Sequence, residues 1–179
     1  MPAAFFGPAP AVTMLNRAFN DTSPVPLIYA NQVSVAGNSE ESINAFAILY
    51  GNSFGGLSDM ALASRALANM GLLPDIDLLL GVADYLAAHH EARGLVVLQI
   101  AQILSVSEPD TGPLSKYSKA ALAWNMEVIN SMTFSLGGKY PYFVSTGEQG
   151  VEEAVLGDGT PLVIDGTIAL IGINSEMCY

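Results

Sequence analysis

Between Gly94 and Ser105 the chain reads GLVVLQIAQILS, apolar at nearly every position and interrupted only by Gln99 and Gln102. Strict alternation is missing, so the stretch is no half-buried strand, and no single face is apolar, so it is no surface helix. A helix that is apolar around its circumference needs other helices on several sides. As an apolar run it extends only from Gly94 to Leu104 and carries two glutamines, so it is also shorter than the ~20 uninterrupted apolar residues needed to cross a bilayer. The segment therefore predicts the centre of a helical bundle, and the rest of the chain must supply the surrounding helices. Val96, Ile100 and Ile103 from this stretch are predicted core residues, together with Trp124, the only tryptophan.

Helices of the right kind flank it. Asn38 followed three residues later by Glu41 reads as a capping box, and Ile43, Phe46, Ala47 and Tyr50 then recur at helical spacing, which predicts a helix from Ser39 to Tyr50. Ser58 and Asp59 open the next, with Leu62, Ala66, Leu67 and Met70 on one face and Gly71 as its stop. Pro74 and Asp75 start a third that runs through Leu78, Val82, Tyr85 and Leu86 toward His89. After the break between Pro109 and Pro113, Tyr117, Ala121, Trp124, Val128 and Met132 recur at steps of three and four, predicting a last long helix.

The ends read differently. Residues 1–26 hold five prolines and predict an extended Pro/Ala-rich arm with at most one short helix around Val12 to Phe19. Its apolar residues, Phe5, Phe6, Met14, Leu15 and Phe19, must pack back on the domain or dock on a neighbour. Beyond Phe134 the punctuation changes to Gly, Pro and Thr, and apolar residues fall in short runs such as Tyr142 to Val144, Leu162 to Ile164 and Ile168 to Ile171. The predicted class is mainly α: a bundle of about five helices over residues 27–134 with a short-strand β tail over 135–179, α+β overall.

Charge excludes several functions. Six Lys and Arg against seventeen Asp and Glu give a net charge of −11, which repels nucleic acid and anionic membrane surfaces. Charged residues make up only 13%, so small polar and apolar side chains must cover much of the surface. The lone cysteine, Cys178, allows neither an intrachain disulfide nor a cysteine-based metal site. The opening MPAAFFGPAP has no basic region, and Pro8 and Pro10 break its apolar stretch, so it does not read as a cleaved signal peptide.

Few motifs carry chemistry. His89 and His90 are the only histidines and fall at a predicted helix C-terminus, where they complement the helix dipole. No G-x-S-x-G elbow ties a serine to them, so no hydrolase is predicted. GNSFGGLSD has neither lysine nor a preceding strand, and reads as a connecting loop instead of a phosphate cradle. Tyr85, Tyr117, Trp124 and the methionines read as core. Glu152, Glu153, Asp158 and Asp165 gather four carboxylates within fourteen residues near glycines, which could ligate calcium or simply be solvated turn acids. No other cofactor is implied, and the chain reads as a non-enzyme.

The stretch ARGLVVLQIAQILSVSEPDTGPLSKYSKAALAWNMEV, Ala92 to Val128, resembles the N-terminal helical domain of proteobacterial S-layer-like and RTX-type proteins exported by type I secretion. The residues that carry the resemblance are Arg93 and Gly94, Leu104 and Ser105, Ala120 or Ala121, Trp124, Asn125 and Val128, with GLSDMALASRALANMGL upstream. The ending DGTPLVIDGTIALIGINSEMCY is similar to the last strands of type I substrates through Asp165, Ile168, Leu170 and Gly172, although glycine-aspartate nonapeptide repeats are missing. The resemblance implies a secreted, cell-surface structural protein that assembles into a layer or filament. Assembly is expected through the terminal segments, by Phe5, Phe6, Met14, Leu15 and Phe19 of the arm and by Leu162, Ile164, Ile168 and Leu170 of the tail. The alternative is a secreted binding protein for a glycan, a small ligand or a divalent cation, with Tyr140, Tyr142 and Phe143 as a sugar-stacking patch.

Overall fold

The computed structural model describes residues 6–107 and 112–137, and the backbone of 142–145 and 151–155. Among the described residues the protein is mainly helical, with α1 (Pro8–Asn20), α2 (Pro26–Ala36), α3 (Glu40–Asn52), α4 (Asp59–Asn69), α5 (Ile76–Ala88), α6 (Arg93–Val106) and α7 (Ser118–Ser135). The five helices expected between Ser39 and Met132 are α3 to α7. Two strands, β1 (Tyr142–Ser145) and β2 (Val151–Val155), pair antiparallel with Tyr142 opposite Val155. The runs Leu162 to Ile164 and Ile168 to Ile171 lie outside the described residues.

The first correction concerns the N-terminal arm, which is a helix and lies in the core. α1 packs against α2, α3, α4, α6 and α7, and every residue from Ala11 to Phe19 is buried. Pro8 and Pro10 do not oppose this helix, because they occupy its first and third positions. The first four N–H groups of a helix have no intrahelical partner, so proline there removes no hydrogen bond, and its fixed φ suits the first turn. The helix ends at Asp21, which takes a left-handed conformation at φ 56°. Met14, Leu15 and Phe19 are fully buried within the chain's own bundle, where each contributes roughly 1.5–3 kcal/mol of apolar burial. They are not available to a neighbour, as their assignment to self-association requires.

A helix buried on all sides must satisfy its own polar groups. Asn16 donates through Nδ2 to Val12 O and Gln32 Oε1, both at 2.9 Å, and accepts from the Tyr50 hydroxyl at 3.1 Å. Burial pushes the Tyr50 hydroxyl up to about 12, so it remains a donor throughout the physiological range. Arg17 is paired with Asp21 and with Glu127 of α7.

The α3–α6 contact depends on two glycines. A Cβ at Gly94 would lie 1.8 Å from Ala47 O, and one at Gly51 would lie 2.4 Å from Gly94 N. The backbones touch there, and no side chain can intervene. Arg93, buried beside this crossing, donates to Leu57 O at 2.7 Å and Phe54 O at 3.2 Å, and pairs with Asp59 at 3.2 Å. It thereby fastens the α3–α4 loop, GNSFGGLSD, to the start of α6. On the other side of α6, Trp124 Nε1 donates to Ala101 O at 3.2 Å and Asn125 Nδ2 donates to Ser105 O at 2.9 Å. Arg93, Gly94, Leu104, Ser105, Ala121, Trp124, Asn125 and Val128 are all buried. The motif that carries the family resemblance is thus a set of packing and fastening residues.

Smaller departures have local causes. Ile103 is 54% exposed, because α6 is covered on the sides of α1, α3 and α7 and open on the remaining one. Val96 and Trp124 are buried as expected, and Ile100 is partly so. The cap of α3 is Ser39, whose Oγ accepts from Ser42 N at 3.1 Å while Ser42 answers in the same box, so Asn38 and Glu41 are not the pair. Tyr85 is half exposed and stacks on His89 at 4.1 Å, and Met60 and Met126 are also exposed, so these three are not core. α4 closes as predicted at Gly71, where φ is +70°, Leu72 N bonds to Leu67 O and Gly71 N to Ala68 O.

Candidate functional site

α2 was not legible as a helix, and it is the element that opens the candidate site. Its sequence PLIYANQVSVA contains no charge, yet only Tyr29 and Ala36 are buried. Pro26 takes its first helical position. Tyr29 is the anchor: its hydroxyl donates to Ala9 O at 2.8 Å and lies 2.9 Å from Thr13 Oγ1, while its ring joins Val12 and Ala36 in a small second core. Burial raises the Tyr29 hydroxyl above its ordinary pKa, which keeps this bond intact at any physiological pH. With Tyr29 inserted, Leu27 is left 83% exposed, and Ile28 and Val35 are exposed beside it.

A groove of about 550 Å³ runs between α2, the start of α1 and the end of α7. It is lined by Pro26, Tyr29, Ala30 and Val33 of α2, by Ala9 of α1, and by Ser135 and Leu136 at the end of α7. Polar groups enter it at Ser34, Asn38 and Ser135, but Ser135 Oγ is already engaged with Pro24 O at 2.7 Å. None of the lining residues is charged, so the groove offers shape and apolar surface without a nucleophile, a general base or a charge clamp.

The outer face of α7 continues this surface. Leu122, Met126, Ile129, Thr133 and Leu136 follow one another at steps of four and three, the spacing of a helix–helix seam. The four apolar members are all exposed, Met126 at 58% and Leu136 at 66%. The stripe spans about 21 Å at 1.5 Å per residue. Leu136 belongs to both stripe and groove, so the two surfaces join there. The charged residues of α7 are Lys119 and Glu127, and Glu127 is held by Arg17.

The residues singled out in the sequence are scattered. His89 Nδ1 lies 2.9 Å from Tyr85 O within its own helix end, and His90 Nδ1 lies 3.2 Å from Asp59 at the start of α4, so each histidine has a partner. Among the described residues no three His, Cys, Asp or Glu side chains come together to hold a metal. Glu152 and Glu153 fall on β2, and their side chains, like Asp158 and Asp165, lie outside the described residues. So do Phe5, Leu162, Ile164, Ile168 and Leu170, whereas Phe6 is exposed just before α1. Among the described residues, no helix is long and apolar enough to cross a membrane. The α7 stripe could have been found from its 4-3-4-3 spacing, but the buried stripe of Ala121, Trp124 and Val128 on the same helix masked it.

Comparison with protein-family models, with curated proteins and with solved structures returned no match.

Proposed function

We propose that this protein is an extracellular structural building block that assembles with copies of itself, and not an enzyme. The observation that carries the reading is the uncharged apolar face of α7 and α2 on a chain whose net charge is −11. Copies with that charge repel one another, so a surface for self-contact has to be neutral and apolar. The seam of Leu122, Met126, Ile129 and Leu136 meets both conditions and has the spacing for packing against a second helix. The resemblance to secreted S-layer-like and RTX-type domains supports export and a place at the cell surface. Leu162, Ile164, Ile168 and Leu170, within a short β tail, are the further contributors, exchanged between neighbours by strand addition. A calcium requirement through Glu152, Glu153, Asp158 and Asp165 belongs to the same reading, as does a cell-surface glycan as an attachment partner.

The groove favours a second reading, that of a secreted binding protein, because its volume falls in the range of small-ligand clefts. Electron micrographs of the purified full chain separate the two. Ordered polymers or sheets are expected, and dispersed particles with and without calcium would leave the binding reading in their place.

A further inference from the structure

We propose that Met126 is an oxidation site, and that a peroxide which converts its thioether to the sulfoxide switches off the apolar seam of α7. The seven methionines of the chain are placed very differently. Met14 and Met70 are buried in the core, and Met132 is half-buried against the small second core. Met1 and Met177 lie outside the described residues. Among the described residues, Met60 and Met126 are the two exposed thioethers, at 44% and 58%. Met60 stands alone, since among the described residues it is the only exposed large apolar side chain of α4. Met126 sits inside a stripe, with Leu122 one turn before it, Ile129 one turn after it and Leu136 beyond.

Position and chemistry act together at this residue. A thioether suits an apolar contact because it is flexible and polarizable, and it loses that quality once the sulfur carries oxygen. In the step itself a sulfur lone pair takes one oxygen of hydrogen peroxide, the O–O bond breaks, and the other oxygen leaves with both protons as water. Sulfur is oxidised by two electrons and the peroxide is reduced by two, so no further reactant is needed. The product is polar, and burying it in an apolar seam without a donor is costly. The fold does not depend on this side chain: Trp124, Asn125 and Val128, which hold α7 to the bundle, are buried on the other side of the helix. The oxidised chain therefore stays folded while its seam becomes polar. A second copy on the seam would shield the thioether, so peroxide acts on the free chain and drains the assembled population by mass action. This consequence for assembly rests on the self-contact proposed for the seam, whereas the accessibility of Met126 and the loss of apolar surface do not.

The test treats the full chain with hydrogen peroxide and follows oxygen uptake by mass spectrometry, with fragment ions that tell Met126 from Met132. Met126 should gain one oxygen at least about tenfold faster than Met14 and Met70. Sedimentation velocity should then show self-association weakened by about tenfold or more at unchanged helicity, and methionine sulfoxide reductases for both epimers should restore it. Met60→Leu should respond as the parent does. Met126→Leu, whatever its starting affinity, should change by less than about twofold on treatment. Retention of the monomeric fraction on a hydrophobic-interaction column reads the seam independently of assembly, and should fall on oxidation of the parent but not of Met126→Leu. Oxidation of Met126 no faster than that of Met14, an oxidised parent that associates and is retained as before, or an undiminished response in Met126→Leu would each overturn the proposal. A parent already monomeric before treatment contradicts the assembly reading instead, and the column then decides: lower retention on Met126 oxidation upholds the switch, and unchanged retention overturns it.

Discussion

Gly94 sets the distance between two helices by what it lacks. A methyl group there would fall 1.8 Å from Ala47 O, a backbone atom that can move only if α3 moves with it. Gly94→Ala should therefore cost about 3 kcal/mol, at the upper end of overpacking penalties, read as a lowered denaturant midpoint. Asp75 gives a residue-scale prediction of another kind. It caps α5 by accepting from Leu78 N at 3.0 Å, and accepts from Lys116 at 3.1 Å and Tyr117 at 2.9 Å. The Leu78 amide first, then Lys116 and Tyr117, hold its carboxyl at about 2, below the ordinary 3.8. A depressed folded-state pKa stabilises the fold above the unfolded value, and that contribution is lost as pH falls from 3.8 through about 2. Acid titration of Asp75→Asn should show a shallower loss of stability across that window than the parent, and parallel curves would contradict the assignment. At this scale the sequence was readable where a residue acts locally: Ser58, Asp75 and Gly71 punctuate their helices as their chemistry requires. Gly94 was not, because its role depends on Gly51 and Ala47 more than forty residues away.

At the scale of elements, α1 decides the architecture. Prolines read as breakers led to an extended arm, but the penalty for proline depends on position, and at the first and third places of a helix it vanishes. The consequence is a reversal of what an arm would do. Deleting residues before Pro24 should abolish the cooperative helical unfolding transition, where removal of a true arm would leave a folded bundle. Phe19→Ala, which empties a site packed by Tyr50 and Phe54 at 5.5 and 4.7 Å, should cost 3–5 kcal/mol in equilibrium unfolding. An N-terminally truncated chain that keeps its helicity and its transition would show that α1 is dispensable. α2 escaped detection for a different reason. Its apolar residues lie all round, as in α6, yet most of them face outward, and no amphipathic pattern exists to be read. Helices α4 and α5 were legible because cap and periodicity agreed, α3 and α7 because of their periodicity, and α6 because it is apolar almost all round.

For the whole molecule, the small stock of positive charge is used partly inside. Arg17 and Arg93, two of the six cations, are buried and paired with Asp21, Glu127 and Asp59, so they neutralise carboxylates at the edge of the core and leave the rest of the surface strongly acidic. Against that field, the uncharged α7 seam and the groove beside it stand out as the surfaces able to meet a partner. The groove could not be recognised in the sequence as a site, because it joins Ala9, Val33 and Leu136, which only the fold brings together; the seam's spacing was there to be read, but the buried stripe on the same helix masked it. Met126→Glu and Ile129→Glu replace exposed side chains, so each should leave thermal stability within about 0.5 kcal/mol of the parent while weakening contact between copies. Sedimentation velocity of the full chain over a wide range of concentration, with and without calcium and beside the Met126→Glu variant, tests the assembly claim most directly. The account predicts concentration-dependent oligomers for the parent that shift toward monomer in the variant; a parent that stays monomeric at the highest concentration under both conditions would contradict it.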